Sequence, residues 1–166
     1  MSDLDLARND PRKQLFEQLD GHTAGMLGVS GSGQHMQPMS HFTDPSGGAL
    51  FFFTSRQTDL FAAMGAGAEA HYTYVGEDHD YHACMRGRLS EETDPALKEK
   101  YWNSVVAAWL GEKDDPEVAL LRFQLKDAAI WASTSSTVRF GWEILRSNVS
   151  DEHQPDVGVT NHVNFA

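Results

Sequence analysis

Thr54, Ser55, Arg56 and Thr58 stand together in FFFTSRQTDLF (residues 51–61), directly after three phenylalanines. Hydroxyls and a guanidinium at the junction of an apolar strand and a helix are groups that hold an anion. A helix start exposes unpaired backbone N–H groups and a partial positive charge, and an arginine forks onto phosphate oxygens. The same residues also read as plain structure, with Thr58 capping the helix and Arg56 solvated in the loop, which is the commoner use. Asp59 speaks for that reading, because a carboxylate in the first turn favours the helix but repels a phosphate.

A second segment, HMQPMSHF (residues 35–42), carries Pro38 in an otherwise strand-like run. Proline lacks the amide donor, so the ladder is interrupted there. Exposed backbone groups beside it suit the edge of a flat ligand. An edge strand protected from aggregation by its proline is the other reading, and the residues alone do not choose.

Other reactive groups read as structure. Asp78, His79, Asp80 and His82 crowd into EDHDYH, where metal ligation competes with a polar hairpin turn, and the turn is the expectation. Cys84 falls inside a strand pattern, as a buried thiol does. No serine occupies a nucleophile elbow. The stripe Trp102, Val106 and Trp109 is expected to pack a helix across the barrel mouth rather than to line a pocket.

The elements that would position these groups follow from turns and periodicity. Residues 10–20 predict a short helix with Asp10 as cap and Pro11 in the first turn. Six strands are expected: TAGMLGVS, HMQPMSHFT, ALFFFTS, EAHYTYV, YHACMRGRLS and LRFQLKDAAIWAS. Their short Gly- and Asp-bearing spacers point to an antiparallel barrel. Helices are predicted over TDLFAAMGAG, over DPALKEKYWNSVVAAWLG as one piece, at DDPEVALL, and over TVRFGWEILRSN. The tail DEHQPDVGVTNHVNF holds no assigned element. The 166 residues read as one domain, with a core barrel over about 10–135 and a C-terminal helix and tail over 136–166.

Thirteen basic against 24 acidic residues give a net charge of −11, which disfavours nucleic acid and anionic membranes as partners. A phosphate ligand would therefore need a dedicated site. No run approaches the ~18 apolar residues of a membrane span. The acidic start MSDLDLARND lacks the apolar core of a secretory leader, and the single Cys84 forms no internal disulfide. Together these predict a reducing cytoplasm.

HMQPMSHF, FFFTSRQTDL, the tryptophan-bearing helix and RFQLKDAAIWAS, in this order, resemble the general stress protein branch of the pyridoxamine 5'-phosphate oxidase-like, FMN-binding split barrels. The resemblance runs from about residue 10 to the last strand near residue 135. It implies a mainly β, six-stranded antiparallel split barrel with peripheral helices, a homodimer, and FMN held non-covalently at the subunit interface. The family's flavin-edge strand falls on His35, Gln37, Met39 and Ser40. Its phosphate segment falls on Phe53, Thr54, Ser55, Arg56 and Thr58, and an aromatic from the partner chain falls on Trp131, with Arg139 a few residues on. Two features depart from the family's oxidases. Their adjacent Arg-Lys pair is replaced by Thr58-Asp59, leaving Arg56 as the nearby cation, and their pyridoxine phosphate segment has no counterpart in residues 81–110. The implied function is flavin binding or flavin redox in a stress protein, as an FMN-dependent oxidoreductase if it is an enzyme. The alternatives are a pyridoxamine 5'-phosphate oxidase-type enzyme and a flavin-sequestering protein without turnover.

Overall fold

A computed structural model of the chain describes residues 2–133 and 158–165. Among the described residues, eight strands run as β1 (Ala24–Val29), β2 (Gln37–Ser40), β3 (Phe42–Asp44), β4 (Ala49–Ser55), β5 (Ala68–Val75), β6 (Tyr81–Glu92), β7 (Val118–Ser133) and β8 (Gly158–Asn164). Five helices accompany them among the same residues: α1 (Leu4–Asn9), α2 (Pro11–Gly21), α3 (Asp59–Met64), α4 (Pro95–Tyr101) and α5 (Ser104–Leu110). The sheet order is β2-β1-β5-β6-β7-β4-β3, with β8 beside β7, and every pairing is antiparallel. Its two end strands, β2 and β3, are separated in the chain only by His41. One bent strand therefore closes the path on itself, and six strands form the split barrel.

Alternation sorts the side chains. In β6, Tyr81, Ala83, Met85, Gly87 and Leu89 are buried, while His82, Arg86 and Arg88 face outward, exposed. Strand β4 breaks this rule because both of its faces are covered. Leu50 and Phe52 join the barrel core, whereas Ala49 and Phe51 join a second cluster with Leu120 and Tyr101 of α4, against which Phe53 packs. Phe51 stacks on Tyr101 at 4.8 Å, and Phe53 meets Trp102 edge-on at 5.3 Å. The three consecutive phenylalanines thus serve two cores. A bulge between Arg86 and Gly87 shifts the β6–β7 register, and a Cβ at Gly87 would strike the Gln124 carbonyl.

Several elements differ from expectation. The predicted strand over 35–43 starts at Gln37 and divides at His41, whose side chain is turned into the interior. The helix predicted over 94–111 breaks at Trp102–Asn103, because the Asn103 carboxamide accepts from the Val105 and Val106 amides at 2.9 and 3.0 Å and caps a new helix. The Trp102, Val106, Trp109 stripe does not pack as one face: Trp109 is 85% exposed. DDPEVALL is no helix; Val118–Leu121 pair with β4 and extend β7 at its start. Helix α1, capped by Asp3, and strand β8 were not foreseen. TVRFGWEILRSN and Arg139 lie outside the described residues. No helix among the described residues is long and apolar enough to cross a membrane.

Since α5 has no buried residue, Asn103→Ala is expected to fray that helix locally, by about 0.5–2 kcal/mol, without moving the global unfolding midpoint. Hydrogen exchange at the Val105 and Val106 amides measures this directly.

Candidate functional site

The β4–α3 junction is tightly organised. Thr58 caps α3 by accepting from the Phe61 amide at 3.3 Å, and its hydroxyl donates to the Ser55 carbonyl at 2.9 Å. The buried Thr54 hydroxyl lies 3.3 Å from that of Thr58. Ser55 Oγ accepts from the Gln57 amide at 3.2 Å. Arg56 is anchored away from the turn: its guanidinium pairs with Glu91 at the end of β6 and donates to the Pro116 carbonyl ahead of β7. Its charge also sits 5.8 Å over the Phe61 ring. Thr54, Ser55 and Thr58 are therefore brought together at the turn, whereas Phe53 faces Trp102 and the one cation among the predicted contacts already has a carboxylate. Sequence reasoning missed Glu91, which lies 35 residues away and meets Arg56 only through the sheet.

The predicted flavin-edge residues lie on and before β2. Gln37 and Met39 are half-buried, Ser40 and Pro38 are exposed, and His35 is exposed ahead of the strand. β2 pairs with β1 from Leu27↔Gln37 to Ala24↔Ser40, and among the described residues no strand pairs with its other edge. A cavity of about 470 Å³ lies between the loop that leads to β2 and helix α3, and none of the predicted flavin-edge or phosphate residues lines it. It is lined by Val29, Ser30, Gly31, Ser32 and Gln34, which lead toward β2, and by Ala62, Ala63 and Ala68 from α3 and the start of β5. Its lining carries no charged side chain. Ser30 Oγ lies 3.0 Å from His71 Nδ1 at its rim.

Trp131 stands apart from this region. It faces outward on β7 between His82 of β6 and Thr160 of β8, and it is 45% exposed. Ser55 pairs with Val118, at the other end of the same strand. Trp131 is thirteen residue steps along β7 from Val118, roughly 40 Å of strand at about 3.3 Å per residue. One chain does not bring Trp131 to the phosphate segment. The outward face around it is mixed: exposed His82 and Thr160 flank it, and exposed Val75 lies beyond His82.

The remaining reactive groups take structural roles. The Cys84 thiol is pushed up by burial and then by Asp127, so it is a poorer nucleophile than a free cysteine. EDHDYH forms a turn in which His79 has φ of 58°. Its Asp80 is buried and binds the Ser2 amide, while the Asp80 carbonyl accepts from Ser133 N at 2.7 Å. Among the described residues no group of three His, Cys, Asp or Glu side chains could hold a metal ion.

Comparison with known proteins adds the family. The model for pyridoxamine 5'-phosphate oxidase-like proteins matches residues 10–156. The chain belongs to this family. Among relatives of this pyridoxamine 5'-phosphate oxidase-like protein, general stress protein 26 of Bacillus subtilis (strain 168) is 24% identical over 135 residues, 78% of this chain and 94% of that protein. A solved general stress protein 26 structure from Jannaschia sp. CCS1 superposes with a TM-score of 0.80 at 31% identity, covering 94% of this chain and 99% of that one. The general stress FMN/FAD binding protein of Xanthomonas citri superposes with a TM-score of 0.69 at 38% identity, covering 75% of this chain and 90% of that one. The split barrel of this pyridoxamine 5'-phosphate oxidase-like chain is thus shared along nearly its whole length.

Proposed function

We propose that the chain binds FMN non-covalently, as a homodimer, and acts in a stress response. The observation that carries this reading is the cavity joining the loop before β2 to α3, the helix that follows the hydroxyl-rich turn. Its volume is within the ~300–1,000 Å³ of small-molecule sites. The likeness to an FMN/FAD binding protein at 38% identity supports it. The residues fit the cofactor in two respects. The edge of β2 that no strand among the described residues pairs offers backbone donors and acceptors to a flavin ring edge. Ser55, whose hydroxyl accepts from the Gln57 amide and keeps its own proton, offers a donor to the phosphate; Thr54 and Thr58 join it by turning their hydroxyl protons away from their present partners, with Arg56 divided between that phosphate and Glu91. When bound, the flavin supplies the redox chemistry; this chain supplies orientation, hydrogen bonds and exclusion of water.

The dimer is supported by Trp131, a large aromatic left 45% exposed on the outward face of β7, because aromatic side chains are enriched where interfaces form. Because Trp131 and the phosphate segment lie at opposite ends of β7, an aromatic contact to the flavin would come from Trp131 of the partner subunit. Trp131→Ala is expected to weaken FMN by a factor of about two to ten, the worth of one aromatic contact at about 0.5–1.5 kcal/mol. Fluorescence titration beside sedimentation reads both properties. Full FMN affinity in a dimeric Trp131→Ala protein would remove Trp131 from the site.

A further inference from the structure

His41 stands on the bend between β2 and β3 with 1% of its surface exposed. Its Nε2 lies 2.9 Å from the Leu19 carbonyl, which only accepts, so Nε2 carries a proton. Its Nδ1 lies 2.7 Å from the Tyr72 hydroxyl. The same hydroxyl lies 3.1 Å from the Met39 carbonyl, inside β2. Tyr72 has one proton for two acceptors. When the imidazole is neutral, Nδ1 is a bare acceptor and takes that proton, and the Met39 carbonyl goes without it. When the imidazole is protonated, Nδ1–H donates to the phenol oxygen, and the hydroxyl proton turns to Met39. The phenol reaches this position across β1 only because residue 25 is glycine: a Cβ there would sit 2.5 Å from the Tyr72 Cζ and hydroxyl oxygen.

We infer that His41 is a positioning residue for β2, acting through a proton-dependent latch in which the Tyr72 hydroxyl switches between His41 Nδ1 and the Met39 carbonyl. The link from the latch to ligand binding rests on the flavin reading of β2; the latch itself does not. The groups facing His41 are Asp20 and His22 from the end of α2 and the residue after it, and Tyr72 and Tyr74 from β5, with the Tyr74 ring 6.1 Å away. Asp20 itself accepts from the Thr43 hydroxyl. Burial dominates and lowers the His41 pKa from its ordinary 6.5, against the Leu19 carbonyl and Asp20, while His22 lowers it further. Burial also raises the Tyr72 phenol, so its proton is present throughout. Because the folded value lies below the unfolded one, His41 contributes full stability above about pH 6.5. That contribution is lost as the pH falls from there toward the folded value. The latch therefore switches on the acid side of 6.5.

The test is nuclear magnetic resonance of protein labelled in histidine nitrogens and in the Met39 carbonyl carbon, between about pH 5 and pH 8, with FMN dissociation constants over the same range. In the wild type, His41 should be the Nε2–H tautomer at the alkaline end, and the Met39 carbonyl signal should move with the His41 midpoint. Tyr72→Phe should hold the Met39 signal flat while His41 still titrates. FMN affinity should change across the midpoint by about two- to tenfold, the worth of one hydrogen bond, in the wild type and not in Tyr72→Phe. An Nδ1–H tautomer at high pH, or a Met39 signal that ignores the His41 midpoint, overturns the latch. If Tyr72→Phe does not fold, those two wild-type signals still decide. A dissociation constant indifferent to pH beside a working latch overturns the positioning role. Absence of FMN binding at every pH overturns the flavin reading and with it that role, while the latch stands or falls on the two signals.

Discussion

Phe52→Ala is expected to destabilise the fold by about 3–5 kcal/mol, a large share of the roughly 5–15 kcal/mol that holds a typical domain folded. Phe52 is fully buried in the barrel, edge-on to Tyr72 at 5.1 Å and 6.5 Å from Phe123. Removing its ring leaves a cavity between strands that closure of the barrel keeps from collapsing. Phe53→Ala, one residue on, removes a ring from the other face, where it is half-buried between Phe42 and Trp102. Its cost is expected to be less than half as large. Denaturant unfolding with an unchanged slope measures both. Equal losses would contradict the assignment of Phe52 to the inside and Phe53 to the outside of the barrel.

The second large effect concerns the phosphate. Arg56→Ala is expected to weaken FMN by roughly ten to a hundred and fifty fold, the worth of one charge-assisted hydrogen bond at about 1.5–3 kcal/mol. Riboflavin, which lacks the phosphate, should bind the variant as it binds the wild type. The pairing of Arg56 with Glu91 adds a second arm. Glu91→Gln removes a carboxylate that competes with the phosphate, so FMN should bind more tightly while riboflavin stays unchanged. Equal losses of both ligands in Arg56→Ala would take Arg56 out of the phosphate site. Weaker FMN in Glu91→Gln would show that Glu91 holds Arg56 in place rather than competing for it.

The barrel was legible because its strands alternate or are continuously apolar between clear turns, as YHACMRGRLS and ALFFFTS do. Caps were legible for the same local reason: Asp10 and Thr58 cap α2 and α3 as expected. Contacts set by tertiary structure were not. Periodicity runs straight through Trp102 and Asn103, and only the carboxamide of Asn103 reveals the break. The bend at His41 depends on Leu19 and Tyr72, 22 and 31 residues away. In the site, the hydroxyl turn could be read from composition, but whether Arg56 is unengaged could not, because Glu91 reaches it through strand pairing. Strand β8 has a plain alternating pattern and becomes a strand only by docking on the long edge of β7.

The proposed binding of FMN by this split barrel is open to direct measurement. The most direct measurement is the absorbance spectrum of the purified protein together with an FMN titration. Flavin bands, or their appearance on titration, and saturable binding at micromolar FMN are expected. A colourless protein with no saturable binding at that concentration would contradict the proposal.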